Sequence, residues 1–202
     1  VVAPTLIPVR VGDRVKTDRR DAKKLLTQFI AGQLTEVWVP DPEQEADREL
    51  TRCRDSAQRD LKQARQRLNS LVVRHGYIYQ EGNLWTDRHH RWLKSLTIEQ
   101  AKLRTVFDEY RSEIEHCVQR LESLDQQVQS LAQSERYRSA VGVLRCLRGI
   151  DTLTAITLLT EIFEFGRFDN PRALMAYLGV TPSEDSSGER RRPGAITKTG
   201  NR

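Results

Sequence analysis

The sequence predicts a mainly α-helical protein organised around two long helices. Its 202 residues are 38% hydrophobic and 30% charged, a polar balance that favours long, solvated helices. In two stretches, residues 46–71 and 103–131, apolar residues recur in steps of three and four. This spacing places one apolar stripe along each helix, as in coiled coils. We therefore expect a long antiparallel coiled-coil hairpin or an intermolecular coiled coil.

The first stripe follows Asp41 and Pro42, which suit a helix cap and a first helical position, and Gly76 ends it. The stripe positions are Ala46, Leu50, Cys53, Ala57, Leu61, Ala64, Leu68 and Leu71, then Leu103, Phe107, Tyr110, Ile114, Cys117, Leu121, Leu124, Val128 and Leu131. Between the stripes lie four aromatic residues, Tyr77, Tyr79, Trp85 and Trp92. They either form a small core at the tip of the hairpin or stack on bases or on a partner protein.

The N-terminal residues predict two short strands around one helix. Residues 1–11 have the composition of a strand, restricted to an edge or an extended lead-in by two prolines, and residues 37–39 read as a second strand. Apolar residues at helical spacing predict a helix over residues 22–30, with Thr17 as its cap. Because the chain begins with Val1 and its one methionine is Met175, we expect a fragment of a longer protein.

Asp18 and Asp21 stand one turn apart on the first turn of this helix. Two carboxylates at that spacing can share a hard cation such as Mg²⁺. The alternative is that acidic residues in a first turn only oppose the helix dipole. Lys16, Arg19 and Arg20 surround the pair, and all three suit contacts with a phosphate.

The region after residue 135 predicts a compact helical domain. Two short apolar helices, residues 141–147 and 153–162, are joined by a turn that contains Gly149. The pair resembles the helix-hairpin-helix module, which presents backbone N–H groups to a DNA phosphate. Asp151 stands where that module commonly has a second glycine, so simple packing of two helices stays an alternative. Asn170 caps one more helix, residues 171–178.

The final segment, residues 182–202, combines two serines with a basic cluster. Ser186 and Ser187 precede a glycine, and the basic residues are Arg190, Arg191, Arg192, Lys198 and Arg202. Guanidinium groups clamp phosphate oxygens, and glycine lets a backbone approach closely. The segment therefore reads either as a place where a hydroxyl meets a phosphate or as a disordered basic tail that binds any polyanion.

Overall charge and cysteine content indicate the partner and the compartment. A net charge of +5 and a pI near 9.3 favour a polyanionic partner, with nucleic acid the first candidate. No run approaches the roughly 18 apolar residues of a membrane span, so we expect no membrane partner. Three widely spaced cysteines fit a reducing compartment, the cytoplasm. With nucleic acid as the partner, we expect association with the nucleoid.

Four stretches together resemble a known family: KTDRRDA, AGQLTEVWVPDPEQEADREL, LRGI, and RFDNPRALMAYLGVTPSEDSSGERRRPGAITKTGNR. They are similar to insertion-sequence transposases with a DEDD catalytic domain, which act as RNA-guided, serine-dependent DNA recombinases. The resemblance implies a ribonuclease-H-like domain whose four acids bind Mg²⁺, a coiled coil, and a C-terminal transposase domain. It also implies DNA and a guide RNA as partners, and a homodimer or tetramer.

The resemblance assigns residues 1–40 to a remnant of the DEDD domain, 41–134 to the coiled-coil hairpin and 135–202 to the transposase domain. Asp18 and Asp21 match the last two acids of the DEDD set. Ser186 is the expected nucleophile and Ser187 the second choice. With the first two acids expected upstream of Val1, we predict little or no recombinase activity for this chain alone and poor folding of its N-terminal part. The competing hypothesis is a non-catalytic coiled-coil protein that binds nucleic acid or directs assembly.

Overall fold

The computed structural model describes residues 1–2, 7, 17–184, 187 and 192–197. These residues form seven α-helices and one two-stranded sheet, so the expectation of a mainly α protein is confirmed. The chain divides into two compact units, Val1–Glu43 and Gln44–Arg202. Each unit is described by itself.

The first unit contains one helix, α1 (Asp18–Ile30), which starts earlier than the spacing predicted. Thr17 caps it, because the Thr17 Oγ1 accepts a hydrogen bond from the Arg20 N–H at 3.4 Å. The predicted strand at residues 37–39 is wrong: the chain there forms only an isolated bridge between Val2 and Glu36. Most of the strand predicted at residues 1–11 lies outside the described residues.

The apolar side chains of α1 are uncovered. Leu26, Phe29 and Ile30 are 59%, 71% and 77% exposed, whereas the buried residue of the helix is Gln28. The apolar spacing therefore predicted the helix correctly, but its apolar face is largely exposed.

The second unit is built on two long helices, α2 (Pro42–Arg74) and α4 (Ala101–Gln133). Three ion pairs join them: Arg54 with Asp125 at 2.7 Å, Arg120 with Asp60 at 3.0 Å, and Arg67 with Glu113 at 2.6 Å. As residue numbers rise along α2, those of the partners on α4 fall. The two helices are therefore antiparallel and form a helical hairpin.

The facing sides of the hairpin bury or half-bury most positions of the predicted stripes. Its core contains Leu61, Ala64, Leu68, Leu71, Val72, Leu93, Ile98, Phe107 and Ile114. The start of the first stripe differs, because Ala46 and Cys53 are exposed while Thr51 is 1% exposed. The N-terminal part of α2 turns a different face inward, because Thr51 makes a buried contact with Thr160 there.

A short helix, α3 (Asp87–Ser95), lies at the tip of the hairpin, between the two predicted stripes. Tyr77, Trp85 and Trp92 pack against the hairpin core, which supports the interpretation of a tip core. His89 is 1% exposed and stacks on Trp92, with ring centroids 5.4 Å apart. The Nδ1 of His89 accepts a hydrogen bond from the Trp85 N–H at 3.1 Å, which fixes the neutral imidazole in one orientation.

The hairpin is expected to lose stability in mild acid because of His89. Burial lowers the pKa of His89 below its ordinary value of 6.5, and neighbouring His90 lowers it further. The unfolded chain therefore binds this proton more readily, so the stabilisation is complete above about pH 6.5 and declines as the pH falls below it. Melting temperatures of the wild type and of His89→Gln, compared at about pH 7.5 and about pH 5.5, check this. His75→Gln, at an exposed histidine, is the control and should retain the wild-type dependence on pH.

The chain returns from the hairpin into α5 (Arg138–Arg145) and α6 (Thr152–Ile162), followed by a 3₁₀ turn (Phe165–Arg167) and α7 (Pro171–Tyr177). All three helices lie close to their predicted positions, and Asn170 caps α7 as expected. A second core joins the end of α4 to α5 and α6: Val128, Ala132, Tyr137, Val141, Ala155, Ile156 and Leu159. The hairpin and the C-terminal helices thus share α4 as a continuous element.

Candidate nucleic-acid interface

The turn between α5 and α6 holds Gly149, which adopts a φ of 89°. At the start of α6 the Asp151 Oδ1 accepts a hydrogen bond from the Thr154 N–H at 2.7 Å. This bond holds the pKa of Asp151 below its ordinary value. A carboxylate therefore occupies the N–H group that a phosphate would use and repels an anion there. The departure from the helix-hairpin-helix pattern thus has a structural role, and phosphate binding at Gly149 stays a prediction.

A polar junction attaches the base of α2 to α6. The Thr51 and Thr160 hydroxyls lie 3.0 Å apart in a buried contact. Beside them, the Arg52 guanidinium donates two hydrogen bonds to the Glu161 carboxylate, at 2.7 and 2.9 Å, and this contact raises the pKa of Arg52. A two-pronged ion pair fixes both distance and orientation. These contacts explain why α2 buries Thr51 and not Cys53.

Two further contacts complete the junction. The Tyr137 hydroxyl donates to the Asp47 Oδ2 at 2.7 Å, and the Arg48 guanidinium lies 5.3 Å from the centre of the Phe163 ring. Phe163 ends α6 with a φ of 59°, a conformation that is costly for a residue with a bulky side chain. Phe163 thus sets the direction in which the chain leaves α6, and it does so in contact with Arg48 at the base of the hairpin.

Stacking of an arginine on two aromatic rings positions α7. The Arg167 guanidinium lies 4.6 Å from the Phe168 ring and 4.7 Å from the Tyr177 ring. The Tyr177 hydroxyl also donates to the Glu161 backbone carbonyl at 3.3 Å. Because Glu161 binds Arg52 as well, the same stretch of α6 anchors both α2 and α7.

After α7 the chain forms an antiparallel pair of strands, β1 (Pro182–Glu184) and β2 (Pro193–Ile196). The Ser183 hydroxyl donates to the Ala195 carbonyl at 3.0 Å, and the Thr197 N–H donates to the Thr181 carbonyl at 2.9 Å. The composition had suggested a loop or a tail, so this hairpin was not predicted. The two strands flank residues 185–192, the serine segment, on both sides in the sequence.

The structure describes only some of the predicted site residues of the final segment, residues 182–202. Ser187 and Arg192 are exposed. The others lie outside the described residues: Ser186, Arg190, Arg191, Lys198 and Arg202. Their assignments therefore stay predictions.

Gly194 allows the two strands to approach closely, and we expect Gly194→Ala to disrupt the pairing. A methyl group at this position would collide with the Ser183 hydroxyl and lie 3.2 Å from the Ser183 carbonyl oxygen. Amide exchange should accelerate at β1 and β2 and stay unchanged in α5 and α6. Gly142→Ala is the matched control, because nothing lies within 4 Å of its added methyl group. It should stabilise α5 by about 1 kcal/mol. Unchanged exchange at β1 in Gly194→Ala would contradict the prediction.

In the first unit, Asp18 and Asp21 lie on the first turn of α1; Asp18 is exposed, as are Arg19 and Arg20, and Asp21 is half-buried. Lys16 lies outside the described residues. Among the residues with described positions, no three His, Cys, Asp or Glu side chains are close enough to share a metal ion. The two carboxylates can supply two of the ligands of Mg²⁺, which otherwise keeps waters and phosphate oxygens.

The C-terminal segment is similar to a family of known proteins. Residues 142–202 match the model of the transposase IS116/IS110/IS902 family. The chain is 41% identical over 201 residues to "Putative transposase y4qE" of Sinorhizobium fredii (strain NBRC 101917 / NGR234), covering 100% of this chain and 48% of the relative. These similarities support a transposase. The chain is also 37% identical over 174 residues to "Transposase for insertion sequence element IS1533" of Leptospira borgpetersenii, covering 85% of this chain and 50% of the relative.

The chain spans about half the length of the two relatives. The segment that matches the transposase model contains the second half of α5, all of α6 and α7, and both strands. None of the described helices is long and apolar enough to cross a membrane.

Sequence reasoning missed the residues of the polar junction and the two strands. Arg52 and Glu161 are 109 residues apart in the chain, and nothing in their local context links them. The strands did leave a signal, because β-branched Thr181, Ile196 and Thr197 flank the glycine-rich stretch, and such residues favour strands.

Proposed function

We propose that this protein is a DNA transposase that cuts and rejoins DNA through a serine nucleophile. The observation that carries the proposal is the match of residues 142–202 to a transposase family model. That stretch includes Ser186, Ser187 and the arginines that follow them. Ser186 is the proposed nucleophile and Ser187 the second choice, on the resemblance of the Ser-Ser-Gly motif.

In the proposed reaction the Ser186 Oγ attacks the phosphorus of a DNA phosphodiester. The bond from phosphorus to one bridging deoxyribose oxygen breaks, and that oxygen takes up a proton as it leaves. The resulting phosphoserine diester conserves the energy of the bond. A DNA hydroxyl then attacks the same phosphorus, forms a new phosphodiester and releases the serine. Arg190, Arg191 and Arg192 would stabilise the negative charge on the phosphoryl oxygens.

The proposal includes Mg²⁺, with Asp18 and Asp21 as two of its ligands. The ion would stabilise negative charge on a phosphate and would polarise its bound water. On the family resemblance, a guide RNA selects the DNA, and the active form is a homodimer or tetramer. The basic side chains beside the acids, Arg19 and Arg20, are proposed contacts for nucleic acid, together with Lys16, Lys198 and Arg202.

Covalent capture on a suicide DNA substrate tests the nucleophile. The test uses this chain and, in parallel, the whole Sinorhizobium fredii relative with the equivalent substitutions, because the chain spans about half of that protein. In the whole relative, we expect the substitution equivalent to Ser186→Ala to abolish the protein–DNA adduct and the one equivalent to Ser187→Ala to retain it. An adduct that persists when both serines are alanine would exclude serine from the mechanism.

The same experiment separates the enzyme from a non-catalytic nucleic-acid-binding or assembly protein. Such a protein would bind DNA in a salt-dependent manner and form no adduct with any variant. The helical hairpin alone is compatible with both functions.

A further inference from the structure

Positive charge is concentrated in the half of α2 that is nearer to the tip. Residues 42–56 contain five acidic residues against three arginines, whereas residues 57–74 contain five basic residues against one acid, Asp60. Asp60 already accepts a hydrogen bond from Arg120 on α4 at 3.0 Å. The basic residues of this half of α2 therefore exceed their acidic partners on the same helix.

A cavity of about 310 Å³ lies beside this basic half, between α2 and the tip. Its walls are formed by Gln58, Lys62, Arg65, Gln66 and Asn69 of α2 and by Leu84 and Trp85 of the tip. Residues 58, 62, 65 and 69 are spaced by three or four positions, so they lie on one helix face. One wall thus carries cations and amides, and the opposite wall is an apolar and aromatic surface.

The two cations of the cavity have no acidic partner among the described residues. The Arg65 guanidinium lies 5.3 Å from the centre of the Trp85 ring, and the buried Arg65 Nε makes no hydrogen bond to a described atom. Stacking on the ring orients the planar guanidinium but leaves the buried Nε–H donor without an acceptor among the described atoms. Lys62 is exposed and forms no ion pair with a described carboxylate. An anionic ligand would supply the missing acceptors.

A neighbouring cavity of about 470 Å³ lies on the other side of the exposed face of α2, and Gln66 lines both. There the Arg67 guanidinium is bound by the Glu113 carboxylate at 2.6 Å. The Arg67 charge is thus neutralised within the protein, which leaves Arg74 as the one cation of this lining without an ion pair to a described carboxylate. The cavity with Lys62 and Arg65 is the better site for an anion.

We propose that the α2–tip groove, formed by Gln58, Lys62, Arg65, Asn69 and Trp85, binds the phosphodiester backbone of a nucleic-acid strand. The two cations match phosphate groups. The amides can donate to phosphate or sugar oxygens, and the apolar wall can contact sugar or base. The aromatic wall beside unpaired cations favours nucleic acid over an acidic peptide. The groove contains none of the residues of the proposed serine chemistry, so a failure of the groove and a failure of the serine mechanism are distinguishable.

Fluorescence anisotropy with the full 202-residue chain tests the groove, using labelled single-stranded RNA, single-stranded DNA and duplex DNA of equal length. The test variant is Lys62→Gln with Arg65→Gln, which removes two charges and keeps side chains of similar length. The matched control is Arg59→Gln with Lys102→Gln, which removes two exposed charges outside the groove. Circular dichroism verifies that both variants remain folded.

The groove variant should bind at least one of the three nucleic acids about tenfold more weakly than the control variant. For a single strand, the slope of log affinity against log salt should become shallower by about 1.4, because two phosphate contacts are lost. The three probes identify which nucleic acid the groove prefers. Equal affinities and slopes for the groove and control variants would overturn the proposal. Displacement of all three probes by polyglutamate at equal charge concentration would likewise overturn it, since the groove would then be an acidic-peptide site.

Discussion

Replacing Phe107 by alanine is expected to lower the free energy of unfolding by about 3–5 kcal/mol, as is typical of a phenylalanine removed from a packed core. Phe107 is fully buried and is the largest of the completely enclosed side chains described. It packs in the hairpin core, where α2 and the tip meet α4. The guanidinium groups of Arg104 and Arg111 lie 5.7 and 5.8 Å from its ring centre, so the substitution also removes the surface over which these cations lie.

Chemical denaturation of the full chain measures this effect. The matched control is Val106→Ala, at a neighbouring position of α4 that is 39% exposed, and its expected change is below about 0.5 kcal/mol. A loss below about 1 kcal/mol for Phe107→Ala would mean that the tip relaxes around the cavity. That result would contradict the tight packing of the hairpin core around Phe107.

Replacing Ile156 by alanine should cost about 2–5 kcal/mol, the usual range for a buried isoleucine. Ile156 is fully buried in α6, within the core that joins α6 to α5 and to the end of α4. Because α4 runs through both cores, we expect Ile156→Ala and Phe107→Ala to shift one and the same cooperative transition.

Two probes measured in one denaturation experiment check this expectation. With Trp38 of the first unit replaced by phenylalanine in every variant, tryptophan fluorescence reports on the tip, because the other two tryptophans, Trp85 and Trp92, lie there. Circular dichroism reports on all helices. Val143→Ala, at a site on α5 that is 68% exposed, is the control with little expected change. If Ile156→Ala separates the fluorescence and circular dichroism transitions, the two cores unfold independently.

The helical hairpin was predictable because its cause is local and repetitive. Leu61, Leu68, Phe107 and Ile114 recur at a spacing that only a helix converts into one face, and all four are buried. The prediction failed at Ala46 and Cys53, where the same spacing continues but the partner changes. There Thr51 faces Thr160, 109 residues away in the chain, and two small polar residues carry no periodic signal.

In α1 the spacing predicted which residues share a face, but not what covers that face. Leu26 and Phe29 do lie on a helix, yet both are largely exposed. The strands β1 and β2 were missed for a different reason. Ser183, Gly194 and Ala195 have weak strand propensity, and the pairing is fixed by hydrogen bonds between residues that flank the serine segment. The choice of Ser186 rests on family resemblance, because neither spacing nor charge distinguishes it from Ser187.

The junction at the base of α2 gives the hairpin the properties of a lever arm. From Arg52 to Arg74 the helix extends about 33 Å, so a tilt of about 5° at the junction displaces the far end by roughly 3 Å. The paired hydrogen bonds of Arg52 to Glu161 and the buried threonine contact resist such a tilt. A force applied at the tip therefore reaches α6 as torque rather than being absorbed by a flexible joint. The stretch of α6 that receives this torque also carries α7, and α7 leads directly into the strands around the serine segment.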